Sequence, residues 1–266
     1  MLIPLPSCVY EKVALSNIPP SQQLTGINVL CYFLPLVLHK SVGLSELSSR
    51  ILATTTALIY MTATAISLRV IESFGRRTLL MSMAAAQSMA FLGVGMSTEV
   101  GHDLTSGVIA TVSISTYFVA FGFAWNAIPW LYPAEINSLS MRTKGAALAT
   151  ACNWLFNYMV VQTTPIGMHH LRWGIYLIYA VFNALFVPIV YYLVVETAGR
   201  SLEQTDRWFE LNPGWFVHKT NHSPVFEQMA DGGQNDEYNA EENEGLVKAY
   251  ERDHGSRLKS RHRLSF

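Results

Sequence analysis

Six stretches of largely apolar residues follow one another in this chain, and each approaches the length of about 20 residues that a helix needs to cross a bilayer. Only 14% of the 266 residues are charged, and 50% are hydrophobic. Soluble domains carry about 25% charged residues. The pattern therefore predicts an all-α membrane protein whose six spans cover residues 22–39, 52–71, 78–96, 107–132, 145–166 and 173–195.

The two ends of the chain differ from this membrane bundle of residues 22–195. Residues 1–21 form an atypical N-terminal stretch, in which Glu11 and Lys12 interrupt the apolar residues and Pro19-Pro20 precede the first span. We therefore expect the first span to be truncated or poorly inserted. Residues 196–266 are polar, and we expect a cytosolic and largely disordered tail there, because such a composition buries little apolar area.

Lysine and arginine are unequally divided between the two sides of the predicted bundle. Cytosolic loops of membrane proteins carry the excess of these residues. The same pattern places both chain termini in the cytosol. The richer side holds Arg69, Arg76, Arg77, Arg142, Lys144, Arg200 and Arg207, whereas the other side holds Lys40, Arg50 and Arg172.

Several classes of function find no support in the composition or motifs. The net charge of −1 gives no reason to expect nucleic acid as a partner. The histidines and the three cysteines have no metal-ligand spacing. No catalytic triad, zinc-protease motif or phosphate-binding loop is present, so we predict neither an enzyme nor a bound cofactor.

Polar side chains inside apolar spans are costly and often mark a functional site. Gln22 and Gln23 open the first span, and Thr25 and Asn28 follow them at helical spacing. Amides both donate and accept hydrogen bonds without carrying charge, which suits a neutral polyhydroxyl ligand. The alternative is that these residues lie in a cytosolic segment that leads into the span, or only bond to neighbouring helices.

Two further spans carry features of the same kind. In the fourth span Pro129 and Pro133 interrupt the helical hydrogen bonds around Trp130. Broken helices line substrate cavities in transporters, but a kinked packing helix with an interfacial tryptophan would look the same. In the fifth span Asn153 and Asn157 share one helix face and could contact a ligand or join helices.

Charged residues stand where several spans end. Arg76 lies in the loop after the second span, close to Glu72, and Glu135 and Arg142 flank the loop after the fourth. Such charges can pair between helices and hold one conformation of a two-state protein. The ordinary excess of positive residues on the cytosolic side explains the arginines equally well, but it does not explain the acids.

The order of these motifs resembles the C-terminal six-helix half of sugar porters of the major facilitator superfamily, and fungal hexose transporters most of all. Five segments carry the resemblance in the family's order. They are residues 22–28 (QQLTGIN), 72–77 (ESFGRR), 129–136 (PWLYPAEI) with the following RTKG, 153–157 (NWLFN) and 196–203 (ETAGRSLE).

This resemblance implies a fold of 3+3 inverted helical repeats and roles for ten residues. The substrate-binding residues would be Gln22, Gln23, Asn28, Trp130, Trp154 and Asn157. A conformational charge network on the cytosolic side would comprise Glu72, Arg76, Glu135 and Arg142.

The chain departs from the family pattern at three positions within the second and fourth spans. Asn126-Ala127 replaces the family's usual Gly-Pro, and Tyr60 stands where the eighth helix of the family often has an asparagine. These changes bear on substrate affinity more than on fold.

The resemblance implies transport of a hexose-like sugar by alternating access, through a truncated or incomplete chain in the plasma membrane. A non-transporting sugar sensor or regulatory half-transporter is the alternative, and a structural partner of intact porters is a third hypothesis. The expected partners are a small sugar, membrane lipid, and a missing N-terminal half or another transporter chain. The sequence leaves proton co-transport open.

Overall fold

A computed structural model describes residues 18–41, 43–100, 103–137 and 142–199 together with Thr205. The chain divides into two compact units, Met1–His218 and Lys219–Phe266, and every described residue belongs to the first. Most of the N-terminal stretch 1–21 and nearly all of the tail 196–266 therefore lie outside the described residues.

The described residues form eight α-helices and two π-helical turns, without strands. In chain order the elements are α1 (Ile18–Leu24), α2 (Ile27–Leu36), a π-helical turn (Val37–Ser41), α3 (Glu46–Phe74), α4 (Arg76–Val100), α5 (Leu104–Ala120), a second π-helical turn (Phe121–Trp125), α6 (Ile128–Ile136), α7 (Arg142–His170) and α8 (Gly174–Leu193).

Five stretches of the described chain are long and apolar enough to cross a membrane: Pro20–His39, Glu46–Phe74, Arg76–Val100, Thr105–Ile136 and Gly174–Leu193. They correspond to five of the six predicted spans, including the first, which was expected to be truncated. The predicted span 145–166 lies in α7, which is 29 residues long but not among these five. Asparagine, glutamine and threonine side chains lower the hydropathy of α7.

The core forms where α4 packs against α8 and α5. The helices α4 and α8 run antiparallel, since Ser88 Oγ donates to the Ala180 carbonyl at 2.9 Å and Arg77, eleven residues earlier, donates to the Tyr191 carbonyl. Phe91 of α4 lies between rings of both neighbours, with centroids 4.7 Å from Tyr117 and 5.7 Å from Tyr179. This aromatic packing fixes the surface on which the broken first span rests.

The helix α3 lies at the periphery, with only 17% of its membrane-length window buried. Large apolar side chains such as Leu58, Met61 and Ile66 are exposed on it. An exposed apolar surface of this extent marks contact with a membrane or a partner.

Candidate functional site

The first span is interrupted between α1 and α2 at Thr25 and Gly26. Gly26 has a φ of 91°, and a Cβ atom there would lie 2.7 Å from Phe91 Cζ and 2.9 Å from Tyr179 Cδ1. Only glycine fits this left-handed position without strain. The Thr25 carbonyl, freed by the break, accepts hydrogen bonds from Tyr117 Oη at 3.1 Å and Asn183 Nδ2 at 2.9 Å. Side chains of α5 and α8 thus supply the hydrogen bonds that this carbonyl lacks within its own helix.

Four amide side chains meet beside this break, and we call them the amide cluster: Gln23, Asn28, Asn153 and Asn157. Gln23 Nε2 donates to Asn153 Oδ1 at 3.0 Å, and Asn28 Nδ2 donates to Asn157 Oδ1 at 3.0 Å. Asn28 Nδ2 also donates to Gln23 Oε1. The cluster therefore joins α1 and α2 to α7 through uncharged groups.

The amide cluster has hydrogen-bonding capacity to spare. Asn157 is half-buried, and its Nδ2 donates to no other described residue. Each hydrogen bond within the cluster joins two side chains rather than a side chain and the backbone. These bonds involve no backbone group, so exchanging one for a bond to a ligand hydroxyl would leave the helical hydrogen bonds intact.

Gln22 points to a different part of the molecule. Its Nε2 donates to the Trp125 carbonyl at 2.6 Å and lies 3.4 Å from the Asn126 carbonyl. In a continuous helix the Trp125 carbonyl would accept from residue 129, which is a proline and has no N–H group. Gln22 thus supplies the donor that Pro129 lacks, and it ties the break in the first span to the break in the fourth.

Trp130 and Trp154 lie outside these hydrogen-bonded groups. Their side chains are 45% and 60% exposed. Trp154 follows Asn153 on α7, and Trp130 lies in the first turn of α6 after the Pro129 break. Of the six predicted binding residues, the structure joins Gln23, Asn28 and Asn157 directly. Gln22 and Trp154 adjoin Gln23 and Asn153 in the sequence, whereas Trp130 lies in α6, outside the amide cluster.

A second polar group forms where α4 begins and where α6 and α8 end, and we call it the charge cluster. Arg76 Nη2 pairs with Glu135 Oε1 at 3.0 Å, and these side chains are only 13% and 17% exposed. Thr197 Oγ1 donates to the other carboxylate oxygen of Glu135. Glu196 accepts from the backbone N–H groups of Arg76 at 2.8 Å and Arg77 at 3.0 Å.

The position of Glu196 has a clear physical cause. The first N–H groups of a helix lack partners within the helix and carry partial positive charge, so a carboxylate there is stabilising. Gly75 makes room for it, since a Cβ at that position would lie 2.6 Å from Glu196 Oε2. The Tyr132 hydroxyl also accepts from the Val195 N–H at 2.9 Å.

Among the described residues, only two of the four predicted charge-network residues are paired with each other. Arg76 and Glu135 form the ion pair, whereas Glu72 is exposed near the end of α3 and has no ion pair among the described residues. Arg142 begins α7, and its buried Nε has no hydrogen-bond partner within the described part of the chain.

The structure also brings in residues that were not predicted as site residues. Glu196 could have been recognised as an acid next to a helix start only if the fold were known, because 120 residues separate it from Arg76. Asn153, which the sequence already indicated through its i,i+4 spacing to Asn157, joins the amide cluster through Gln23. No group of three potential metal ligands occurs among the described residues.

Comparisons with known proteins agree with this architecture. Residues 13–209 match the family described as "Sugar (and other) transporter". An MFS-type transporter of Aspergillus oryzae, oryC, is 42% identical over 202 residues, which cover 74% of this chain and 38% of the relative. The sugar transporter STL1 of Saccharomyces cerevisiae is 36% identical over 70% of this chain and 32% of its own length.

A solved structure gives the same result for the fold. The proton:xylose symporter XylE, bound to 6-bromo-6-deoxy-D-glucose, matches with a TM-score of 0.67 and 26% identity, over 74% of this chain and 42% of its own. The chain thus belongs to the sugar transporter family of the major facilitator superfamily. It spans 38%, 32% and 42% of the lengths of these three proteins, which is between about one third and two fifths.

Proposed function

We propose that this protein takes part in transporting a hexose-like sugar across a membrane, with the amide cluster as part of the sugar site. The observation that carries the proposal is the set of side chain–side chain bonds among Gln23, Asn28, Asn153 and Asn157 beside a broken helix. Uncharged amides match the alternating donors and acceptors of sugar hydroxyls. Trp130 and Trp154 would offer apolar faces to the ring.

The charge cluster would act in the conformational cycle rather than in binding. Transporters of this superfamily expose a central site alternately to either side by moving two helical halves against each other. Ion pairs between helix ends can favour one of two states. In this proposal Arg76 and Glu135 hold one state, and Glu72 and Arg142 pair when the helices move.

The topology and partners belong to the same proposal. Residues 22–195 would form a six-span bundle in the plasma membrane, with both termini and the tail 196–266 in the cytosol, as the distribution of arginine favours. The bundle would act with an N-terminal half or another transporter chain, because alternating access requires two moving parts. The relative XylE is a proton symporter, which makes proton co-transport a specific option to measure.

Uptake of radiolabelled hexose into proteoliposomes tests the proposal, with the purified protein reconstituted both alone and together with the N-terminal half of a sugar transporter. Asn157→Ala and Trp130→Ala should each raise the half-saturation concentration about tenfold, the effect of losing roughly 1.4 kcal/mol. Gln162→Ala on the exposed face of α7 is the matched control and should leave uptake unchanged. Unchanged half-saturation in both site variants, or no uptake above empty vesicles in either preparation, would refute the proposal. Sugar binding without uptake in either preparation would favour a sensor.

A further inference from the structure

The break in the fourth span leaves two backbone carbonyls without their usual helical donors. The Trp125 carbonyl would accept from residue 129, but Pro129 has no N–H group. The Asn126 carbonyl would accept from the N–H of Trp130, yet that N–H donates to the Ala127 carbonyl at 3.2 Å. Because an unpaired backbone group is costly inside a membrane-spanning bundle, both carbonyls need donors from outside their own helix.

The Gln22 side chain supplies both donors from the first span, and we call the two bonds the Gln22 tie. Gln22 Nε2 donates to the Trp125 carbonyl at 2.6 Å and to the Asn126 carbonyl at 3.4 Å. An amide nitrogen carries two hydrogens, so these bonds use all of its donors. Only 5% of Gln22 is exposed, and Trp125 is fully buried. The tie is therefore shielded from water, which makes it costly to break.

The helix that carries Gln22 also reaches the amide cluster. Gln23 follows Gln22 on α1, and its Nε2 donates to Asn153 Oδ1 on α7 at 3.0 Å. The helix α1 thus bonds to α7 through one glutamine and to the break in the fourth span through the other. It is only seven residues long, about 10 Å, and a helix this short moves as a rigid unit. A displacement of α1 at one contact is therefore passed on to the other.

Both ends of the Gln22 tie lie where a span is interrupted. The break at Thr25 and Gly26 follows Gln22 by three residues, and Thr25 Oγ1 donates to the Gln22 carbonyl at 2.7 Å. The second π-helical turn, Phe121–Trp125, ends at one of the two carbonyls that Gln22 contacts. Interruptions of this kind are the points at which helices bend. The tie therefore joins the bending point of the first span to that of the fourth.

We propose that Gln22 is a positioning residue that makes the first and fourth spans bend together during the transport cycle. This inference rests on the proposed sugar transport. When a sugar takes over bonds of Gln23 in the amide cluster, α1 moves, and the Gln22 tie carries that movement to the start of α6. This role differs from the substrate contact that the family resemblance implies for Gln22, because both Nε2 hydrogens are already used within the protein.

A double-mutant cycle of Gln22→Leu and Pro129→Ala tests the tie itself. Leucine has about the volume of glutamine but donates no hydrogen bond, so Gln22→Leu should lower the Tm of the purified protein by several degrees. Pro129→Ala provides an N–H group for the Trp125 carbonyl, and in that background Gln22→Leu should lower Tm by roughly half as much or less. Gln22→Met is a second variant without donors, in case leucine does not fold. Gln162→Leu on the exposed face of α7 is the matched control and should not lower Tm.

Transport kinetics distinguish a positioning role from a direct contact with sugar. The purified protein is reconstituted alone and together with the N-terminal half of a sugar transporter. Gln22→Leu should lower kcat for hexose uptake about tenfold, and Pro129→Ala should not restore it, because its N–H group does not rejoin the two spans. The dissociation constant of radiolabelled hexose should change by less than about twofold in Gln22→Leu, whereas Asn157→Ala should raise it about tenfold. Gln162→Leu should retain the wild-type kcat.

The outcomes separate this inference from the function on which it rests. Wild-type protein that neither binds nor transports hexose in either preparation would overturn both. Additive effects of Gln22→Leu and Pro129→Ala on Tm would overturn the tie alone, because groups that share one partner show non-additive effects. A folded Gln22→Leu variant with the wild-type kcat would assign Gln22 to helix packing. A loss of hexose affinity equal to that of Asn157→Ala would make Gln22 a sugar contact, and either of these last results would overturn the positioning role.

Discussion

The amide cluster and the charge cluster differ in how their polar groups are hydrogen-bonded within an apolar bundle. The amides of Gln23, Asn28, Asn153 and Asn157 bond to one another through neutral side chains, and each bond contributes about 0.5–1.5 kcal/mol. In the charge cluster, carboxylates receive charge-assisted bonds from Arg76 and from a helix N-terminus. Hydrogen bonds of that kind are roughly twice as strong.

We propose that the two clusters have different functions. Weak, neutral, rotatable groups can exchange partners with a neutral ligand at little cost. Strong pairs that are only partly exposed are expensive to break singly, so they switch only when whole helix ends move apart. Variants that remove one cluster while sparing the other should therefore separate binding from conformational stability.

The largest effect is expected for Arg76→Ala, which leaves the Glu135 carboxylate without its cation at 17% exposure. Removing one partner of a buried pair costs about 3–5 kcal/mol, so a loss of up to roughly 3 kcal/mol is expected here, where solvent still reaches the pair. Thermal unfolding of the purified protein in detergent measures it. Arg50→Ala is the control, because its pair with Glu46 is about 70% exposed and should contribute at most about 0.5 kcal/mol. Equal losses in the two variants would contradict the assigned role of the charge cluster.

A somewhat smaller effect is expected for Gly75→Ala. The added Cβ would strain a φ of 80° and displace the Glu196 carboxylate from the start of α4, so a loss of about 2 kcal/mol is expected. Gly199→Ala separates the two causes, since Gly199 has a φ of 71° with no heavy atom within 4 Å of the added Cβ. If both variants unfold at the same temperature, the carboxylate contributes nothing and only backbone strain remains.

Within the amide cluster, Gln23→Leu should affect binding more than stability. It removes the bonds to Asn153 and Asn28, with a stability loss of about 1 kcal/mol. Sugar affinity should fall about tenfold, as measured by equilibrium binding of radiolabelled hexose. A large loss of stability with unchanged affinity would assign the cluster to helix packing instead.

The smallest effect is expected for Gln87→Met, which lies outside both clusters. Gln87 is fully buried in α4, and neither amide atom has a hydrogen-bond partner among the described residues. An apolar side chain of similar volume should therefore stabilise the protein by about 1 kcal/mol, seen as a rise of a few degrees in Tm. A lower Tm would show that this amide is satisfied in the membrane-embedded protein, like those of the amide cluster.

The sequence predicts the helices better than it predicts their breaks and pairings. Long apolar runs suffice to locate five spans, because burial in lipid requires little beyond length and hydropathy. The span in α7 fails that criterion because it carries the polar side chains of the site. Gly26 is part of the segment 22–28 that the sequence singles out, but its close approach to Phe91 and Tyr179 depends on packing between helices that are distant in the sequence.

The residue types of the candidate site could be predicted from the sequence, but their hydrogen-bond partners could be predicted less well. Gln22 and Gln23 are adjacent in the sequence, yet their side chains have different partners. Gln22 donates to the Trp125 carbonyl, which Pro129 leaves without a helical donor, and Gln23 donates to Asn153. Glu196 and Gln22 each take their role from a partner at least 103 residues away. Such pairs follow from topology, which local patterns do not contain.

An experimental structure of the protein with a hexose bound would show whether the amide cluster forms part of the sugar site. We expect sugar hydroxyls within hydrogen-bond distance of the Gln23 and Asn157 amides, and an Asn28–Asn157 separation longer than the present 3.0 Å. A hexose bound away from α1, α2 and α7, with every bond of the amide cluster intact, would contradict this expectation.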